Sequence, residues 1–142
     1  MYTNAAISGI KVYSLIEMGT AFKVRLHFNL DEFACQDGSD IVLIHNDLLD
    51  FAEALRVAID MPLHMNSAYR TWSHHVEIYK GLGTEAPRGS AHLYGMAGDF
   101  VCDDMALLEE KINELNPGGI GLYNTFIHAD VKGENRRWDN RK

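Results

Sequence analysis

The sequence predicts an α+β domain in which a small antiparallel sheet carries helices packed on it. Strand-like alternation and helix-like periodicity intermix along the chain without a regular βαβ rhythm, which argues against a doubly wound sheet. A length of 142 residues suits one packed core and is short for two. No internal repeat, low-complexity tract or Pro/Gly/Ser linker divides residues 1–142, so a single domain is expected.

Taken in order, Lys11 to Leu15 reads as a short strand, and Ala21 to Phe28 (AFKVRLHF) alternates as a second. Asn29 to Phe33 opens on a good capping residue and suits one helical turn, after which CQDGSD supplies turn formers. From Asn46 to Ile59, apolar residues recur at Leu48, Leu49, Ala52, Leu55, Val57 and Ile59, which predicts an amphipathic helix with Asn46 as cap and Pro62 as stop. Leu63 to Ser67 alternates as a strand leading into Ala68, Tyr69 and Arg70. Thr71 to Tyr79 forms a second helix capped by Thr71 or Ser73, and Gly81 to Gly89 is a loop rich in breakers. Ala97 to Cys102 reads as a strand and Asp104 to Leu115 as a helix, capped by Asp103 or Asp104 and ended by Gly118 and Gly119. A final strand pair, Gly119 to Tyr123 and Thr125 to Val131, turns at Asn124.

Composition narrows the function. Hydrophobic residues at 46% and charged residues at 23% are ordinary for a globular protein. With 20 acidic against 13 basic side chains, the formal net charge of −7 gives no electrostatic footprint for nucleic acid. The basic cluster Arg136, Arg137, Arg141 and Lys142 is expected to be a solvated tail. No apolar run reaches the length a bilayer needs, and the first residues lack the basic-then-apolar order of a secretory signal. Cytoplasmic synthesis without an export tag is therefore expected. Cys35 and Cys102 do not form a CxxC pair and are expected as free thiols.

Chemistry concentrates in GSAHLYGMAGDFV and TFIHADV. Alternate strand residues share a face, so Ala97, Asp99 and Val101 face one way, as do Phe126, His128 and Asp130. If the two strands pair with those faces aligned, Asp99 and His128 converge, and His92 on its glycine-flanked loop can reach the same point. Two imidazoles and one carboxylate, with water in the fourth position, make an open zinc site. Elsewhere, His74 and His75 are neighbours that diverge around a helix by about 100°, so exposure is expected of both. His27, His45 and His64 read as isolated polar residues. Trp72, Tyr94, Tyr123 and Trp138 fit either a groove or core and rim.

The segment GSAHLYGMAGDF resembles the S-x-H-x-x-G-x-A-x-D signature of the zinc D-alanyl-D-alanine carboxypeptidase family, part of the Hedgehog/DD-peptidase superfamily, at Ser90, His92, Gly95, Ala97 and Asp99. FACQDGSD, NSAYRT and GGIGLYNTFIHADVKG are similar to further family segments in the right order, so that the resemblance covers about residues 28–138. It implies a Hedgehog/DD-peptidase-like fold and one zinc ion per chain held by His92, Asp99 and His128. It also implies that Arg70 faces the substrate, where a fixed guanidinium pairs with a peptide carboxylate or a developing oxyanion. Ser90 either hydrogen-bonds the substrate or caps its loop.

The general base departs from the pattern. Many members carry an acid three residues before the last histidine ligand, where this chain has Thr125, and some relatives carry a histidine two before it, where this chain has Phe126. Asp130 is left either as the base or as a partner that orients a ligand histidine. The expected function is hydrolysis of peptidoglycan stem peptides at the bacterial cell wall, by a monomeric carboxypeptidase or by an endopeptidase of the kind phages use for lysis. The alternatives are a zinc-containing wall-binding module and a phage structural component.

Overall fold

The computed structural model describes residues 7–142. Strand β1 (Ile10–Ser14) runs into a single helical turn, α1 (Leu15–Met18), which Ser14 caps by accepting from the Glu17 amide. The predicted strand over 21–28 is instead a small hairpin, β2 (Lys23–Arg25) and β3 (Phe28–Asn29), because the chain turns at Leu26 and His27. A 3₁₀ turn (Leu30–Phe33) follows, closed by a reciprocal capping box between Asn29 and Glu32. Strand β4 (Ile41–His45), which alternation had not revealed, pairs antiparallel with β1.

Helix α2 (Asn46–Ile59) has the predicted bounds, but its cap is the preceding residue: His45 Nδ1 accepts from the Asp47 amide at 3.0 Å. Asp60, at φ 50°, ends the helix before Pro62 is reached. Strand β5 (His64–Ser67), helix α3 (Trp72–Gly81, capped by Thr71), strand β6 (Ala97–Val101) and helix α4 (Met105–Leu115, capped by Asp104) fall close to their predicted positions. Asn116, also at φ 50°, terminates α4, ahead of the glycines expected to do so.

Strands β7 (Gly119–Leu122), β8 (Ile127–Asp130) and β9 (Arg136–Asp139) complete the main sheet, whose order is β5-β6-β8-β7-β9. Its pairings are antiparallel except for β7 with β9, which run parallel. The predicted solvated tail is therefore an edge strand: Arg136 and Arg137 pair with Gly119 and Ile120, and only the chain beyond Asp139 lies outside it.

Strand alternation divides the sheet chemically. Phe100, Ile120, Ile127 and Ala129 join Leu48, Leu55, Leu108 and Ile112 in one apolar core, so α2 and α4 cover that face. The opposite face carries Asp99, His128 and Asp130 among buried surroundings. Strand β7 presents only Gly119 and Gly121 to it. A β-carbon at Gly121 would collide with the Trp138 ring, so the missing side chain lets that indole lie against the sheet. Cys35 and Cys102 are both buried free thiols, as expected.

Candidate metal centre

The pairing of β6 with β8 sets Asp99 directly opposite His128, the alignment that convergence required. His92 arrives on a 3₁₀ turn (Ala91–Tyr94), which Gly95 ends at φ 69°. Two bonds tie that turn to the end of β5: the Arg70 amide donates to the His92 carbonyl at 3.0 Å, and His92 Nδ1 donates to the Ala68 carbonyl at 2.7 Å. His92 Nε2 and His128 Nδ1 then lie 3.3 Å and 3.2 Å from Asp99 Oδ1. One ligand atom of each residue falls within 4.8 Å of the other two.

The outward atoms of the three side chains decide what the inward atoms can hold. A carbonyl only accepts, so His92 carries its hydrogen on Nδ1 and turns a lone pair inward. His128 Nε2 donates to Asp130 Oδ2 at 2.7 Å, which leaves Nδ1 for the centre. Asp99 Oδ2 accepts from Arg70 Nη2 at 3.2 Å, which leaves Oδ1. Three electron-rich atoms thus face one another in a buried place and form a group that could hold a cation. Two imidazole nitrogens and one carboxylate oxygen fit a divalent ion with room for a further ligand.

The pKa shifts within the group follow from burial and from its mutual pairing. Burial pushes the Asp99 carboxyl up, but His92 and His128 outweigh it and hold the group well below the usual carboxylate range. Burial raises Asp130 too, and His128, the Lys132 amide and Arg136 bring it below its ordinary value. For His128, burial acts downward while Asp130 and Asp99 raise it, with a net upward shift.

The group opens into a pocket of about 560 Å³ lined by His92, Asp99 and His128. Arg70 and Ser90 line it as well. Arg70 is fixed through Nε to Ser67 Oγ at 2.8 Å, besides its bond to Asp99. Ser90 makes no side-chain capping bond to the turn it precedes. Thr125 is absent from the lining, whereas Phe126 is present, stacked on Tyr123 with ring centroids 4.5 Å apart. Asp130 is fully buried: Oδ1 accepts from the Gly119 and Lys132 amides at 3.1 Å each and from Arg136 Nη2, while Oδ2 takes His128.

A family model described as Peptidase M15 matches residues 26–130, well over half of the chain. The chain belongs to the peptidase M15 family. No curated protein and no solved structure matches it. Peptidases M15 depend on zinc in general, and the His92, Asp99 and His128 group is one that could hold such an ion.

For this M15 chain, the pocket also contains residues that sequence reasoning set aside. Arg136, expected in a solvated tail, and Trp138, expected in either groove or rim, line it from β9, with the Trp138 ring centroid 5.1 Å from that of His128 at a tilt of 44° and its Nε1 donating to Tyr123 Oη at 2.9 Å. The signal was faint: the alternation of Arg136 and Trp138, beginning eight residues past His128, could have suggested a strand. His75, expected to be exposed, is completely buried. His45 is buried as well, serving as the cap of α2, while Trp72 is exposed and lies outside this pocket.

Proposed function

We propose that this protein is a zinc-dependent peptidase that hydrolyses peptidoglycan stem peptides at the bacterial cell wall, either as a carboxypeptidase or as an endopeptidase. The observation that carries the reading is the convergence of His92 Nε2, Asp99 Oδ1 and His128 Nδ1 on the floor of a pocket, each with its other polar atom already engaged. Bound there, zinc supplies Lewis acidity and brings the pKa of a coordinated water to about 7. His92, Asp99 and His128 hold the ion, and the Ala68 carbonyl and Asp130 keep both histidines in the tautomer that binds it. Arg70 retains N–H bonds beyond those given to Ser67, His75 and Asp99, and these hold the substrate carbonyl or carboxylate. Ser90, with no capping duty at the same rim, offers a hydroxyl to the peptide backbone. Asp130 orients His128 and does not act as the base, because both of its oxygens are committed.

One observation favours a second reading, a zinc-containing wall-binding module that does not hydrolyse. Asp99 and Asp130 are the carboxylates among the described residues lining the pocket, and neither is free to take a proton from water. Zinc content by plasma mass spectrometry, measured with muropeptide digestion on the wild type and on His128→Ala, separates the two. One zinc per chain with cleavage, both lost in the variant, supports the peptidase; zinc without cleavage overturns it in favour of the binding module.

A further inference from the structure

Helix α3 lies beside the metal pocket, and its first turn buries His75, which the site as described does not use. The His75 ring packs between Trp72 and Tyr79, with centroids 5.9 Å and 4.8 Å away. Its Nε2 lies 3.0 Å from the Pro87 carbonyl, and its Nδ1 lies 3.4 Å from Arg70 Nη1. The two contacts determine each other. The Pro87 carbonyl can only accept, so Nε2 must carry the hydrogen, and the neutral ring then has a lone pair on Nδ1. A guanidinium can only donate, so that lone pair is what Arg70 needs. Burial shifts the His75 pKa downward, opposed by the Pro87 carbonyl and assisted by the neighbouring Arg70 charge.

Three fixed acceptors therefore surround the guanidinium: Ser67 Oγ from the end of β5, Asp99 Oδ2 from β6 and His75 Nδ1 from α3. Ser67 and Asp99 leave Nη1 without a partner of its own, and His75 meets it. Pro87 sits on the loop that continues through Gly89 and Ser90 to His92, so the same imidazole ties the pocket rim to the arginine. We propose that His75 is a positioning residue: its Nδ1 accepts from Arg70 and fixes the guanidinium's orientation toward substrate, while the Pro87 carbonyl fixes the tautomer that makes this possible. This rests on the reading of Arg70 as the substrate-facing cation.

The test uses the full zinc-loaded chain. Long-range ¹⁵N–¹H spectra of histidine-labelled protein at neutral pH should show His75 protonated at Nε2 and accepting at Nδ1. An Nδ1-protonated ring, or a ring exchanging between tautomers, would overturn the proposal. In muropeptide digestion, His75→Phe keeps the packing and removes both polar atoms, and kcat/KM should fall about tenfold with zinc content unchanged. His75→Asn, which returns an amide oxygen near the Nδ1 position, should recover most of that loss. On an Arg70→Ala background, His75→Phe should have no further effect, whereas an equal loss on both backgrounds would refute action through Arg70. If the wild type cuts no muropeptide, the peptidase reading fails, and the spectra still decide the role of His75.

Discussion

Replacing Asp130 with asparagine tests the argument that the centre depends on outward bonds as much as on its ligands. The native carboxylate accepts on both sides: His128 Nε2 at 2.7 Å on one oxygen, and the Gly119 amide, the Lys132 amide and Arg136 on the other. An amide has one oxygen. Turned toward His128, it sets its NH₂ against three donors; turned the other way, it sets NH₂ against the imidazole N–H and favours the tautomer that cannot ligate through Nδ1. Partners of this kind are worth roughly 10- to 100-fold in metal affinity, or about 1.4–2.8 kcal/mol. The full burial of Asp130 and the two-sided conflict place Asp130→Asn at the upper end, near 100-fold. Competition with a chromophoric chelator measures the zinc Kd directly, and circular dichroism of the zinc-free variant shows whether the fold persists. A folded Asp130→Asn that binds zinc within about threefold of wild type would refute the tautomer reasoning.

Other perturbations have equally definite outcomes. His128→Ala should abolish stoichiometric zinc in plasma mass spectrometry while leaving far-ultraviolet circular dichroism near wild type, since His128 lies on the face away from the apolar core. Gly121→Ala forces a β-carbon into the Trp138 ring and should destabilise by about 1–3 kcal/mol in urea titration, with altered tryptophan fluorescence. The zinc-free chain should be most heat-resistant between about pH 4 and pH 6.5. Above that window, the stability from the raised pKa of His128, complete below its unfolded value, is lost as pH climbs through the folded one. Below it, the contributions of the depressed Asp99 and Asp130, complete above their unfolded values, are lost as pH falls through the folded ones. Melting curves from pH 3 to pH 9 with chelator check both flanks, and a monotonic profile would contradict the assignment.

Much of the fold and centre could be read from periodicity. The amphipathic repeat of α2 gave its bounds because a single buried face decides them, and alternation in β6 and β8 placed Asp99 and His128 on one side of a sheet. Other elements depend on partners far away in sequence. Strand β4 is a short apolar run whose identity comes from its pairing with β1. Strand β9 resembles a charged tail until Arg136 finds Asp130 and Trp138 finds the space above Gly121. His75 is polar at a helical position that no apolar stripe marks, and only the fold brings Pro87 and Arg70 to its two nitrogens. Local pattern reports which face a residue occupies, and it is silent about what tertiary structure sets against that face.

The two margins of the main sheet bear on how these molecules behave in crowded solution. An open strand edge invites pairing with another chain and so aggregation. At one margin, Gln36 reaches the Asn66 carbonyl of β5 and the Tyr69 amide bonds the Phe33 carbonyl, so the segment from Leu30 to Gln36 covers that border. At the other, β9 is only four residues long and carries the charged Arg136, Arg137 and Asp139, features that discourage a further strand from pairing there. One border is blocked by covering chain and the other is a short, charged edge. A folded pool of this protein should therefore resist fibre-like association even when concentrated, and colloidal failure should begin with unfolding of the sheet rather than with its native edges.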